Sequence, residues 1–367
     1  MRNKRLVTLL GGVCLVLVLA ALPFMAACPA PVEDGDGDLT PTPIKPITLT
    51  VASWEGPGGC IMEAFNLWIK ELEERSGGRV KCEVVYGGAM GPPPEHYDLA
   101  ATGVADIAHV GLPYTPGRFP MAEVIELPIA KMSALDLTLG YWELYKRGYF
   151  DEDFKDVKVL YLIVVGPYSY QMGDKKVLSF DDMEGLKIRA SGRMHTQIVE
   201  ALGSVPVGMP APDIYVSLEK GVIDGNLGSW DFMYAFRTEL VTKYVTSLSI
   251  GGMGQAMVMN KDSYARLPAD IRAIIDDMSD KYAIIGGQTI TGFGELMEFE
   301  IFKEAGGEVI EFPDAELEKV WGAMAPIWDN WIAEGEEKGL SRQEMVDDLY
   351  HIFRHMHIEM PFHGYAP

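Results

Sequence analysis

The chain has 367 residues, 48% of them hydrophobic and 23% charged, with a formal net charge of -22 at pH 7. That is apolar material for one large or two medium cores, and two lobes are the expectation. So acidic a surface repels nucleic acid and anionic lipid headgroups, and an anionic ligand must be held by a local positive group working against the overall field.

The first 27 residues carry Arg2, Lys4 and Arg5 and no acid, so the remainder stands at -25. A basic start, an apolar run from Leu6 to Met25 and then "MAAC" read as an export signal. About 20 apolar residues could span a bilayer. Here, however, Ala26, Ala27 and Cys28 are followed by "PAPVEDGDGDLTPTPIKP", which is rich in Pro, Gly and Asp and cannot form a core. "MAAC" resembles a bacterial lipobox with Met25 in place of the usual Leu. Cys28 is then expected to be the lipidated first residue after a 1–27 signal peptide, with 28–46 as a tether. "DGDGD" lacks the further ligands of a calcium loop and reads as solvated linker. Of the four cysteines, Cys14 leaves with the signal, while Cys60 and Cys82 fall at opposite ends of one βαβ unit, so no disulfide is expected.

After the tether, "ITLTVASW" alternates as a half-buried strand does. "CIMEAFNLWIKELEERSGG" places Ile61, Phe65, Trp68, Ile69 and Leu72 at helical spacing and stops at Gly77-Gly78. "RVKCEVVYGG" is a second strand, "PPPEHYDLAATG" a helix entered through prolines and ended by Gly103, and "VADIAHVG" a third strand. Strand, helix, strand, helix, strand implies parallel pairing. An internal echo points to a second lobe of the same kind: Tyr97 precedes Gly103-Val104-Ala105-Asp106 as Tyr215 precedes Gly221-Val222-Ile223-Asp224. Chance similarity of two βα turns is the alternative. Ligands of open parallel sheets sit beyond the carboxyl ends of the strands, which directs attention to Tyr114 and Trp230 just after each echo.

From Pro268 to about Ala305, Ile271, Ile275, Met278, Tyr282, Ile285, Phe293, Met297 and Ile301 keep helical period. This is a helix of about 55 Å, long enough to brace two lobes. Gly286, Gly287, Gly292 and Gly294 predict a bend. The C-terminal "HIFRHMHIEMPFHGYAP" reads as a surface helix and tail.

With these segments in place the chain resembles the periplasmic solute-binding receptors of TRAP (tripartite ATP-independent) transporters, over about Ile47 to Leu340. The resemblance is carried by "SGGRVKCEVVYGGAMG", "GVADIAHV", "ELP", "DDMEGLKIR", "EALGSVPVGMPAPDIYVSLEKGVIDG", "KYV" and "VMNKDSYARLPADIRAII". It implies an α/β fold of two lobes with parallel-rich sheets, joined by crossing strands and one long helix, closing on a small ligand. The expected division is 47–167 and 255–309 for lobe 1, 168–254 and 310–345 for lobe 2, and 346–367 for the C-terminal helix and tail. It further implies an extracytoplasmic location, a TRAP permease as membrane partner and no cofactor.

In this family the arginine ending "GLKIR", here Arg189, grips the ligand carboxylate with two hydrogen bonds. A guanidinium is planar, permanently charged and shaped for two oxygens. An arginine capping a sheet or pairing with Asp182 is the bland alternative. Departures from the family pattern are equally informative. "GPYSYQ" offers Tyr168 and Ser169 and no second arginine, Leu227-Gly228-Ser229-Trp230-Asp231 stands where many members have "ENP", and Ala211 stands for the aromatic of "MPF". We therefore expect one carboxylate on Arg189 and an apolar or aromatic remainder against Trp230, Tyr168, Tyr114 and Trp54, each of which core packing would also explain. Arg193 is a candidate second positive group, with an exposed arginine at a helix start as the alternative, and Arg118 a weaker one, with a loop or lobe–lobe ion pair as the alternative.

The sequence contains no G-x-S-x-G, phosphate loop, H-E-x-x-H or paired C-x-x-C. His351 and His355 have metal-pair spacing, but no acid or cysteine joins them by spacing, so a solvated helix face is expected. Two functions from different classes remain: a lipid-anchored receptor delivering an organic acid to a permease, or an extracytoplasmic enzyme or ligand-sensing partner on the same scaffold.

Overall fold

The computed structural model describes residues 46–129 and 132–356. The signal, the Cys28 lipobox, nearly all of the tether and the chain from His357 onward lie outside the described residues. The first part of the chain forms β1 (Ile47–Ala52), α1 (Cys60–Arg75), β2 (Val80–Val85), α2 (His96–Ala101), β3 (Ile107–Gly111), α3 (Ala134–Lys146) and β4 (Val157–Val165). Then come β5 (Tyr168–Met172), β6 (Lys187–Ala190), α4 (Arg193–Ala201), β7 (Val205–Gly208), α5 (Ile214–Glu219), β8 (Gly225–Ser229), α6 (Trp230–Phe236) and β9 (Tyr244–Ile250). The chain closes with β10 (Met253–Asn260), α7 (Lys261–Arg266), α8 (Ala269–Leu296), α9 (Phe302–Glu304), β11 (Glu308–Glu311), α10 (Asp314–Glu337) and α11 (Arg342–His355). No helix among the described residues is long and apolar enough to cross a membrane.

The strands form two sheets, one in each lobe, ordered β2-β1-β3-β10-β4 and β11-β9-β5-β8-β6-β7. β1 is parallel to β2 and β3, and β6 is parallel to β7 and β8, as strand–helix–strand connections require. β10 is antiparallel to β3 and β4, and β5 is antiparallel to β8 and β9. Both sheets are therefore mixed. The antiparallel strands accompany two direct strand-to-strand crossings between the sheets, Gly166-Pro167 from β4 to β5 and Gly251-Gly252 from β9 to β10, while a third passage runs through α7, α8 and α9 from β10 to β11.

The internal echo has a structural counterpart. Gly103 and Gly221 take φ of 75° and 65° where α2 and α5 stop, a left-handed conformation that glycine adopts freely. Three residues on, the Asp106 carboxylate accepts the Thr50 amide of β1 at 2.8 Å, and the Asp224 carboxylate accepts the Lys187 amide of β6 at 2.9 Å. The amides of the two aspartates return hydrogen bonds to the carbonyls of the same two residues. Each echo thus fixes one lobe's strand to its parallel neighbour, and each delivers the chain to a residue pointing beyond the sheet.

The 28-residue α8 packs on α1, α3 and β4 of the first lobe and on α6 of the second, and continues through a π-helical turn, Met297–Ile301, into α9. Of the four glycines expected to bend it, Gly286 and Gly287 serve close packing instead, while a Cβ on Gly292 would meet nothing within 4 Å. A Cβ on Gly286 would lie 2.6 Å from Ile163 Cγ2, and one on Gly287 would lie 3.0 Å from Leu135 Cα. They let the helix axis approach β4 and α3, while the local irregularity lies at Met297–Ile301. A second tie runs through α10, which packs on α4, and α11, which packs on α3.

The two crossings touch each other. Gly166, with φ of 153°, would place a Cβ 2.7 Å from the Gly251 carbonyl oxygen and 3.0 Å from Gly252 Cα. Backbone cannot yield as a side chain can. Gly166→Ala is therefore expected to lower unfolding free energy by about 2 kcal/mol or more. Gly56→Ala, where no atom lies within 4 Å, should change it by less than about 0.5 kcal/mol. Urea melts of the two variants provide the check, and equal midpoints would refute the steric account.

Candidate functional site

Arg189 lies in β6, between β7 and β8, where it pairs with Val207 and Asn226, and it is 0% exposed. Its Nε donates to the Met209 carbonyl at 2.9 Å, and Nη2 donates to the Tyr114 hydroxyl at 3.4 Å. Nη1 is buried and has no partner among the described residues. Comparison with Arg342, 1% exposed, is instructive. Arg342 donates to the Trp331 and Pro120 carbonyls and to Glu123, and its guanidinium lies 4.2 Å from the Trp331 ring centroid. That arginine has its acid and is structural. Arg189 has no carboxylate at ion-pair distance among the described residues, and Asp182 instead caps the amides of Leu178 and Ser179. Burying a guanidinium costs several kcal/mol unless an anion compensates it.

Tyr114 comes from the other lobe, in the 3-10 turn Leu112–Tyr114 after β3. Its hydroxyl also accepts the Ala211 amide at 3.1 Å, so it bridges Arg189 and the segment after β7. Trp54, just after β1, packs edge-on to Tyr114 at 5.6 Å, stacks on His109 at 4.4 Å and on Phe236 at 6.1 Å, and meets Phe232 edge-on at 6.1 Å. Arg189, Tyr114 and Trp54 are therefore brought together across the lobes. Tyr168, the first residue of β5, stacks on His195 at 4.8 Å and lies within electrostatic reach of Arg189. His195 Nε2 donates to the Gly252 carbonyl at 3.1 Å, and Nδ1 accepts from the Ser191 hydroxyl, so the ring is neutral. Burial, reinforced by the Arg189 charge, depresses its pKa to about 3.

The remaining candidates sit elsewhere. Trp230 packs edge-on to Phe302 at 5.4 Å, in a separate cluster with Met233, Val245 and Met297. Because α6 starts at Trp230, helical spacing turns Trp230 and Met233 toward α8 and presents Phe232 and Phe236 to Trp54. The wall expected of Trp230 is thus furnished by those two phenylalanines. Arg193 opens α4 and is held by Glu123 at 2.6 Å and Glu334 at 2.9 Å, an ion-pair network joining the second lobe to the first and to α10. Arg118 pairs with Asp98 at 2.8 Å and lies over Tyr97. His351 and His355 join no group of potential metal ligands among the described residues. Cys60 and Cys82 are free.

Two acids complete the site. Glu55 follows Trp54, and Asp231 precedes Phe232; they are 0% and 1% exposed. Glu55 Oε2 accepts the Met62 amide at 3.0 Å in the first turn of α1, while Oε1 and both carboxyl oxygens of Asp231 form no hydrogen bond among the described residues. The Cys60 thiol donates to the Asp231 carbonyl at 3.2 Å, tying α1 of one lobe to α6 of the other. Burial, with some contribution from the neighbouring Asp231 charge, raises Glu55 to about 8. Burial likewise raises Asp231 to about 7, against nearby Ser229 and backbone amides that fall short of full hydrogen bonds.

Residues 51–334 match the model of the bacterial extracellular solute-binding proteins, family 7. The chain belongs to this family, the receptors of TRAP transporters. Among solved structures, a marine-metagenome TRAP receptor specific for aromatic acid ligands, in complex with metahydroxyphenylacetate, superimposes with a TM-score of 0.80 at 29% identity, covering 84% of this chain and 98% of its own. A TRAP receptor from Rhodoferax ferrireducens in complex with copurified benzoate gives a TM-score of 0.80 at 27% identity over the same shares. A curated solute-binding protein of Albidiferax ferrireducens is 25% identical over 305 residues, 77% of this chain and 87% of its own.

The receptor thus has a buried cation without an anion, an aromatic wall and two acids, distributed over both lobes. Sequence reading missed Phe232, Phe236, His195, Glu55 and Asp231. The i, i+4 spacing of the phenylalanines in "WDFMYAF" was the available signal; the acids carried none, being two charges among 53. Two outcomes follow. Tyr114→Phe removes an acceptor of both Arg189 and the Ala211 amide, and should weaken ligand binding about tenfold by calorimetry. In the closed form that the structure describes, the receptor should also lose stability as pH rises from 6.5 to about 8. In that window the unfolded carboxyls, with ordinary values near 4, hold no proton, whereas the native Glu55 and Asp231 still do, so the slope is negative. His195 and His109, both depressed to about 3, give the opposite slope only below about 6.5. Melting temperature should fall by about 3 °C across the window, and Glu55→Gln should flatten the decline.

Proposed function

We propose that this receptor captures an aromatic carboxylate between its lobes and presents it to a TRAP-type permease. The observation that carries this reading is the fully buried Arg189, which among the described residues has no partner for Nη1 and no acid at ion-pair distance, beside the Trp54–Tyr114–Phe232–Phe236 cluster. The ligand carboxylate supplies the missing anion, accepting from the guanidinium while Tyr114 and the Met209 carbonyl hold the fork in place. The ring is held by the aromatic wall, with Tyr168 alongside. The two similar structures with aromatic acids bound support the same ligand class.

Binding proceeds by closure. Arg189, Tyr168 and the phenylalanines belong to one lobe and Trp54 and Tyr114 to the other, so only the closed form offers the complete set, and ligand shifts the population toward it. Arg193 with Glu123 and Glu334 acts on that equilibrium through the lobe–lobe contact and leaves the carboxylate to Arg189. The division of the chain near 167, 254 and 309 follows from the same scheme. Cys28 is the acylated N-terminus, and the tether keeps the receptor at the extracytoplasmic membrane face, near its permease. The receptor is not an enzyme: bound ligand is released unchanged.

Removing one partner of a buried charge pair typically costs about 3–5 kcal/mol. Arg189→Ala should therefore weaken benzoate binding by about 100-fold or more, measured by calorimetry on protein stripped of ligand by unfolding and refolding. A variant within a few-fold of the parent would overturn the assignment.

A further inference from the structure

We propose that Glu55 and Asp231 form an acidic pole of the same cleft that reads a hydroxyl group on the ligand, making hydroxylated aromatic acids the preferred class. The proposal rests on Arg189 as the carboxylate clamp and concerns the other end of the ligand. Both acids are attached to the aromatic wall through the chain itself: Glu55 is the neighbour of Trp54, and Asp231 the neighbour of Phe232. They come from opposite lobes, tied by the Cys60 thiol on the Asp231 carbonyl. Glu55 acts electrostatically on Tyr114 and Asp231 acts on Tyr168, the two tyrosines on which the Arg189 charge also acts. The cationic and acidic ends therefore lie within Coulombic reach of one another.

The unused polar atoms at this end are of both kinds. Glu55 Oε1 and both Asp231 oxygens are buried acceptors, and Trp54 Nε1 is a buried donor; the Ser229 hydroxyl is also without a partner among the described residues. Neither acid forms an ion pair among the described residues. A neutral hydroxyl donates once and accepts once, so it pairs a carboxyl oxygen and an N–H or O–H together. An ammonium only donates and leaves Trp54 Nε1 unpaired. An unsubstituted ring leaves Glu55 Oε1 and Trp54 Nε1 without a partner and the Asp231 carboxyl with only the nearby Ser229 hydroxyl and backbone amides, and a buried polar site penalises an analogue that lacks its partner group more strongly than an apolar site penalises a missing methylene. The raised values of Glu55 and Asp231 fit the same assignment, since carboxyls near neutrality suit an uncharged partner better than a cation.

The test measures affinities of stripped receptor for benzoate, 3-hydroxybenzoate, 4-hydroxybenzoate and 3-(aminomethyl)benzoate by calorimetry. At least one hydroxybenzoate should bind ten or more times tighter than benzoate. In Glu55→Gln or Asp231→Asn that ratio should fall to within threefold, whereas a merely structural defect would weaken all ligands together and preserve the ratio. Equal binding of benzoate and both hydroxybenzoates by the parent, with binding still lost in Arg189→Ala, would overturn the acidic pole and leave the carboxylate reading intact. Retention of the preference in both acid variants would overturn it too. An aminomethyl ligand tenfold tighter than either hydroxybenzoate would replace the hydroxyl site by a cation site. Unchanged benzoate affinity in Arg189→Ala would remove the clamp and the proposal together.

Discussion

One buried guanidinium organises this protein. In a chain of net charge -22, most cations meet acids, as the ion pairs of Arg118, Arg193 and Arg342 show. Among the described residues Arg189 is 0% exposed and has no acid at ion-pair distance, and its burial makes that costly. It is tolerated because the Met209 carbonyl and the Tyr114 hydroxyl satisfy part of its donor capacity. A protein optimised for stability alone would place an apolar side chain or an acid there. The residual donor is the signature of a site whose second half arrives from solution.

The fold puts that site where it can open. The two direct crossings are each two residues long, and Gly166 lies so close to the backbone of Gly251 and Gly252 that a Cβ there has no room. In the proposed closure these short crossings would act as the hinge, and α8 and the α10–α11 pair, which pack on both lobes, would restrain it. His195 connects the two: its ring supports Tyr168 in the cleft and its Nε2 holds the Gly252 carbonyl at the crossing. Ligand contact and crossing geometry are therefore mechanically joined through one neutral imidazole.

Elements governed by local rules were legible in the sequence. The first three strands, the helix from Cys60, the glycine stops and the long helix all follow from periodicity and capping, and the echo around Asp106 and Asp224 proved to be one hydrogen-bonding device used twice. The family resemblance located Arg189. What stayed hidden depends on tertiary approach. Gly286 and Gly287 read as helix weaknesses because nothing local reveals that Ile163 and Leu135 press against them. Trp230 drew attention by its place after the echo and its departure from the family pattern, yet the helix begins at that residue, and the starting phase turns its ring toward Phe302 and leaves Phe232 and Phe236 facing Trp54. Glu55 and Asp231 differ from other acids only in burial, which no local pattern encodes.

Closure carries two opposed electrostatic consequences, and their balance explains why both ends of the site are built from both lobes. Shutting the cleft strips water from Arg189, which an anion must offset, and it brings Glu55 of one lobe toward Asp231 of the other, which penalises two ionised carboxylates. An empty closed form therefore suffers twice, once for a lone cation and once for crowded acids. A ligand with a carboxylate at one end relieves the first cost, and a ligand able to hydrogen-bond an acid at the other end relieves the second. The free energy of closure is thus supplied by the ligand in two separate places. On the proposed reading, a compound that satisfies one end alone would supply only part of that free energy, and this difference, more than the size of the cleft, would separate a cargo from an adventitious acid.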